Sequence, residues 1–309
     1  MLRDRDDPTP LELEQDARRA LRQAIKRELT PVTADYIKWE DDKASLADDL
    51  TRALEALRTG MGEQEAQPEG EQEEGKGEVL GVTRVGVELF LHLTGLGQAA
   101  SCEMGWVVKH IVKPFCGRNG EKAMLDMFAG VRFQGEPAVA RMEQFHSYTW
   151  RECVADTVGG LADYHWTCLW WDIFCQNQFV AGNVAETFQN AIDQCYKILM
   201  SVPHPAMPTY LCRVWCLFEL LTATKQGKSV AWVSSNSLTE ADFAALEAAE
   251  KVFRVDLAKA EATRPEDVTM IHDFIAEKFP EGIPALNKQL FGIFKNSILE
   301  ENLRAAGFM

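Results

Sequence analysis

This chain has no long uninterrupted apolar run, no Cys-x-x-Cys pair and no excess of positive charge. The longest apolar-looking stretch, Val79 to Gly97, is broken by Arg84, Glu88 and His92, so it does not read as a membrane span, which needs about 20 apolar residues. The opening Met1-Leu-Arg-Asp-Arg-Asp-Asp7 is charged and does not read as a signal peptide. Eight cysteines without framework spacing read as free thiols in a reducing, cytoplasmic compartment rather than as a disulfide scaffold. A net charge of −15 leaves no basic surface for sequence-independent nucleic-acid binding, although a few local arginines suffice to hold a phosphate-bearing small molecule.

What is present is enough apolar material for a substantial core, 46% of 309 residues, in a chain longer than the usual domain of roughly 100–200. Four segments follow from the composition. Residues 1–60 are a helical N-terminal region, with two amphipathic helices between Leu11 and Gly60 broken near Thr30-Pro31. Residues 61–78, rich in Glu, Gln and Gly without an apolar anchor, read as a disordered acidic linker. Residues 79–140 read as a helical segment, in which Trp106-Val-Val-Lys-His-Ile-Val-Lys-Pro114 is a helix stopped by its proline and Gly117–Gly120 a loop. Residues 141–309 form an α/β domain with C-terminal helices.

In that last segment short apolar runs alternate with helical patterns. Phe145–Trp150 is a first strand with its exit loop, and Thr167–Phe174 a second, apolar enough to be buried on both faces. Lys197–Val202 and Ser229–Ser234 are the third and fourth, and Val252–Asp256 a fifth, edge strand. Helices fall at Arg151–Tyr164, Ala185–Cys195, around Trp215 to Glu219, after the Ser237-Leu-Thr-Glu240 capping box, at Asp267–Lys278 and at Pro284–Arg304. This order predicts right-handed βαβ units in an open, parallel, five-stranded, flavodoxin-like sheet flanked by helices. Ligands bind such sheets beyond the C-terminal strand ends where strand order reverses. With the order 2-1-3-4-5 the crevice is walled by Ser147–Arg151, Phe174–Val184 and Val202–Arg213.

The most distinctive motif is Trp215-Cys-Leu-Phe-Glu-Leu220, whose aromatic and carboxylate, four apart, share one helical face. Together with Phe145-x-Ser147-Tyr148, Asp172 at the end of the second strand, and Ala181-Gly-Asn-Val184 followed by Ala191-Ile-Asp-Gln-Cys195, it resembles a TIR (Toll/interleukin-1 receptor-like) domain. The resemblance runs from about Arg141 to Asp256. The flanks around Val107–Pro114 and Val255–Ile271 are similar to those of divergent TIR-like proteins of algae and other microbial eukaryotes.

The resemblance implies an NAD⁺ nucleosidase acting in signalling or defence. Its catalytic residue would be Glu219, and Ser147, Tyr148, Trp150, Arg151, Asp172, Arg213 and Trp215 would contact substrate. No resident cofactor or metal is implied, because NAD⁺ is itself the substrate and the product is linear or cyclic ADP-ribose. Partners would be further copies, joined through the Phe174–Val184 loop, or other TIR-like proteins. The alternative is a non-enzymatic scaffold of the same family that self-associates. Three features depart from the family pattern: His146 within the first strand, Thr149-Trp-Arg151 after it, and the uncharged loop Phe174–Phe179.

Plainer readings stand beside these. Glu219 fits the polar face of an amphipathic helix. Trp170 and Trp171 fit core and surface neighbours on a strand, and Asp172 a structural cap. A zinc site from Cys175, Cys195, His204, Cys212 and Cys216 would need four converging ligands, and a Cys216–His146 nucleophile would need a third, orienting group.

Overall fold

The computed structural model describes residues 43–59, 77–96, 102–133, 135–162, 164–180, 184–203, 209–234 and 255–305. The helices expected between residues 11 and 42, the acidic stretch from 61 to 76, and the Ser237–Glu240 capping box with its helix lie outside them.

The centre is a six-stranded, mostly parallel sheet covered by helices on both faces. Its strands are β1 (Leu80–Thr83), β4 (Val139–Arg141), β5 (Gln144–Ser147), β6 (Cys168–Trp170), β7 (Lys197–Ser201) and β8 (Ser229–Val233), in the order β4-β1-β6-β5-β7-β8. Strands β6, β5, β7 and β8 run parallel, so the first four expected strands stand in the order 2-1-3-4. The expected five-stranded sheet differs from this at both edges. Val255 and Asp256 form no strand, and 252–254 lie outside the described residues. On the opposite edge β1 joins β6 antiparallel and β4 joins β1 antiparallel.

Those two added strands come from the 79–140 segment, which therefore contributes more than helices. A four-residue apolar run such as Leu80-Gly-Val-Thr83 has too little length for its period to separate strand from helix. Gly81 permits the pairing, since a Cβ there would stand 2.5 Å from the Leu169 carbonyl oxygen. A separate two-stranded ribbon is formed by β2 (Arg132–Phe133) and β3 (Glu136–Pro137).

One face of the sheet carries α1 (Lys43–Thr59), α2 (Arg84–Thr94), the long helix α3 (residues 104–118), α4 (Met124–Phe128), α5 (Val154–Ala162) and the single turn α6 (Asp172–Cys175). Thr83 starts α2 by accepting the Gly86 N–H at 3.2 Å, and Gly95 ends it in the left-handed region at φ 68°. Helix α3 runs as Met104–Val107, a π turn Val108–Val112, and Lys113–Arg118. Pro114 does not stop it, contrary to expectation. The Lys113 N–H reaches back five residues to the Val108 carbonyl, and this widened turn accommodates the proline ring just inside the next helical segment.

The other face carries α7 (Val184–Gln194), α8 (Val214–Lys225), α9 (Pro265–Lys278) and α10 (Ile283–Ala305). In α10, Leu286, Leu290, Phe294 and Ile298 recur every fourth residue, and all are fully buried. Helix α8 is buried along nearly its whole length, from Cys216 through Ala223. A helix that is apolar on every side, as Val-Trp-Cys-Leu-Phe-Glu-Leu-Leu is, belongs inside the structure. Strand side chains alternate between the two cores: Leu199 faces the first, Ile198 and Met200 the second. No described helix is long and apolar enough to cross a membrane.

Candidate functional site

The C-terminal end of β5 lies between β6 and β7, where the strand order reverses. Ser147, its last residue, is fully buried, and its hydroxyl donates to Oε2 of Glu219 on α8. The same hydroxyl is bonded to the Tyr210 hydroxyl, which the 3₁₀ turn Thr209–Cys212 delivers from the β7–α8 connection. Glu219 is only 5% exposed. It is therefore no solvated polar face, as the amphipathic reading would have it, because α8 has no such face. Burial pushes its carboxyl well above the usual range; the Ser147 hydrogen bond opposes that rise and the nearby Asp172 charge adds to it.

Beyond the strand end the chain turns through Tyr148–Cys153. Tyr148 donates to Oδ1 of Asp172 at 2.5 Å, and the Trp150 indole N–H to Oδ2 at 2.8 Å. Asp172 opens α6 and takes both donors, yet burial still raises its pKa. Glu152 curls back to accept the Thr149 N–H at 3.2 Å, and burial raises its pKa well above normal. The start of α3 holds this loop in place: the Gly105 N–H bonds the Trp150 carbonyl at 2.8 Å and the Met104 N–H that of Glu152 at 2.9 Å. Cys216 donates its thiol to the Tyr148 carbonyl at 3.3 Å, and burial followed by the Glu219, Glu152 and Asp172 charges lifts its pKa. Three carboxyls thus gather in a region of low polarity.

The remaining residues expected to contact substrate lie outward. Arg151 is exposed and meets Oε2 of Glu261 at 3.1 Å. Arg213, much less exposed, approaches the same oxygen at 4.0 Å and donates to the Thr263 hydroxyl at 2.9 Å. Trp215 does not share a partner with Glu219. Its indole N–H donates to Asp267 of α9 at 3.0 Å, and its ring packs on Phe188 of α7 with centroids 4.9 Å apart. The structure thus gathers Ser147, Tyr148, Trp150, Asp172 and Glu219 around the end of β5, and sets Arg151, Arg213 and Trp215 at a rim toward α9.

Trp170 and Trp171 are both buried, not one inside and one out, because both sheet faces are covered. Trp170 stacks on Phe145 at 4.9 Å, and Trp171 meets His146 edge-on at 4.7 Å. His146 is 2% exposed, neither ring nitrogen has a hydrogen-bond partner, and desolvation lowers its pKa to about 3. A neutral imidazole stacked on Tyr148 at 5.0 Å, with its ring nitrogens unengaged, is not positioned as a base for Cys216. Among the described residues no group of three or more His, Cys, Asp or Glu is placed to hold a metal ion, and His204 lies outside them.

Tyr210, Glu152, Glu261 and Asp267 belong to this constellation and carry no resemblance motif. Only Glu152 had a local signal, the Thr149-x-x-Glu152 spacing of a capping box. In the Phe174–Val184 loop, Phe179 and Val180 are exposed, and residues 181–183 lie outside the described residues. Compared with family models, curated proteins and solved structures, the chain matches none.

Proposed function

We propose that this protein is a TIR-like, flavodoxin-like α/β module that cleaves the nicotinamide–ribose bond of NAD⁺, with Glu219 as its catalytic carboxyl and clustering of copies as its activating condition. One observation carries the reading: a carboxyl with a raised pKa lies under the strand-order reversal, held by the last residue of β5.

In the reaction the C1′–N bond breaks and its electron pair passes to nicotinamide, which leaves as a neutral molecule without needing an acid. Water then adds to C1′ and its proton goes to solvent, giving linear ADP-ribose; addition of an internal nucleophile would give the cyclic product. The transition state gathers positive charge on the ribose. Burial raises the Glu219 pKa, and a pyridinium cation entering beside it favours the charged form, the proton passing to solvent. Its negative charge then faces the developing cation in surroundings of low dielectric. Ser147 and Tyr210 orient it. Trp150 offers a ring face for stacking, and Arg151 and Arg213 offer guanidinium groups to the pyrophosphate. The exposed Phe179 and Val180 supply apolar area for self-association, in signalling or defence.

A non-enzymatic scaffold is the second reading, favoured by the internal satisfaction of the site: Asp172 already takes Trp150 at the end of β5, and Glu261 takes Arg151 at the rim. The deciding measurement is nicotinamide release from NAD⁺ by protein clustered on beads, beside Glu219→Gln, with melting curves to verify the fold. Release by the wild type and a loss of about a hundredfold or more in the variant is expected. No release under clustering, or equal release by both proteins, gives the scaffold reading.

A further inference from the structure

We infer that Glu261 is an internal stand-in for a ligand's phosphate: its carboxylate occupies an anion subsite formed by Arg151, Arg213 and the N-terminal end of α8, and a pyrophosphate group displaces it. The inference rests on the reading above for its ligand class, and on four observations of its own.

The charge at this spot is unbalanced. Among the described residues two guanidiniums converge on one carboxylate oxygen, at 3.1 and 4.0 Å, so two positive charges there meet one negative charge, in a chain whose net charge is −15. The Asp267 carboxylate is already engaged, by Arg264 at 3.3 Å and by the Trp215 indole N–H at 3.0 Å. Burial is uneven as well. The Arg213 side chain is 11% exposed, against 57% for Arg151 and 62% for Glu261. Among the described residues this Arg213 guanidinium meets a carboxylate only at a loose 4.0 Å and is poorly compensated, and its hydrogen-bond partner, the Thr263 hydroxyl, is neutral.

The helix adds to the field. Arg213 precedes α8, a twelve-residue helix whose N-terminal end carries partial positive charge. Finally, the main chain of Glu261 is held independently of its exposed side chain. Its N–H bonds the Cys212 carbonyl at 2.8 Å and its carbonyl accepts the Val214 N–H at 3.0 Å. The carboxylate can therefore leave without the segment unfolding. Exposed ion pairs contribute little, whereas a phosphate takes bidentate, charge-assisted bonds from arginine. The exchange accordingly favours the phosphate.

The probe is inorganic pyrophosphate, titrated calorimetrically into the full chain at physiological salt. Glu261→Gln, which keeps both backbone bonds, is expected to bind about tenfold more tightly than the wild type. Glu261→Gln combined with Arg213→Gln loses that gain, and Glu266→Gln, an exposed neighbour on α9, does not reproduce it. Equal affinity of Glu261→Gln and wild type overturns the inference. So does a gain that survives loss of Arg213, or one that Glu266→Gln matches. Because pyrophosphate binding is read without any cleavage, a chain that cleaves no NAD⁺ can still pass this test, and one that cleaves it can still fail.

Discussion

The hydroxyl of Ser147 at the end of β5 donates to the carboxyl of Glu219 in the middle of α8, across 72 residues of sequence and entirely inside the protein. This bond ties the sheet to its most buried helix and fixes the orientation of the carboxyl. Ser147→Ala leaves Glu219 without its recorded donor and Tyr210 without its hydroxyl partner. Urea denaturation should show a loss of about 1–3 kcal/mol. A variant as stable as the wild type would mean these contacts contribute nothing net.

Stability should also fall as pH rises. Burial raises the folded-state pKa values of Glu219, Glu152 and Asp172 above their ordinary values. Each therefore favours folding fully below the ordinary carboxyl pKa of about 4, and that contribution is lost as pH climbs through the raised values. Melting temperatures measured upward from about pH 4 check this. Glu219→Gln, which has no carboxyl to ionise, is expected to give a shallower decline.

His146 acts in the opposite direction. Its folded pKa is lowered from 6.5 to about 3, so the neutral imidazole supports the fold above the ordinary value and that support is lost as pH falls from 6.5 toward 3. The loss at about pH 5 is on the order of 2 kcal/mol. His146→Phe keeps a flat ring between Tyr148 and Trp171 and has no nitrogen to leave unpaired. Acid unfolding of this variant should begin at lower pH than that of the wild type.

Two glycines should respond with opposite signs. Gly81→Ala sets a methyl 2.5 Å from the Leu169 carbonyl and forces β1 away from β6, lowering stability by about 1–3 kcal/mol. Gly292, inside α10, has open space around its Cβ position, and Gly292→Ala should raise stability by about 1 kcal/mol. Thermal melts of the pair test whether β1 belongs to the cooperative unit.

Strands β5, β7 and β8 and helices α7, α9 and α10 were legible because each carries its apolar period within a few turns or pleats, as Leu286, Leu290, Phe294 and Ile298 do. Alternation with helices implied that the four strands are parallel, whereas their order was assumed and is fixed only by the pairing. β1 was not legible, since four residues are too few to show a period, and neither was the passage of α3 through Pro114, which depends on a widened turn.

The site divides along the same line. Motif resemblance singled out Ser147 and Asp172, helical spacing paired Trp215 with Glu219, and whether Glu219 lay on an exposed polar face or inside was left open. Only the tertiary structure decided which groups meet. It turned Trp215 toward Asp267, brought Tyr210 onto Ser147, and set Glu261 against Arg151, 110 residues away in sequence. Periodicity is a property of neighbours along the chain, whereas ion pairing and desolvation depend on what lies across the fold. The sequence by itself therefore determined most of the elements and the candidate carboxyl, and the three-dimensional packing raised its pKa and set a carboxylate against the arginines of the rim.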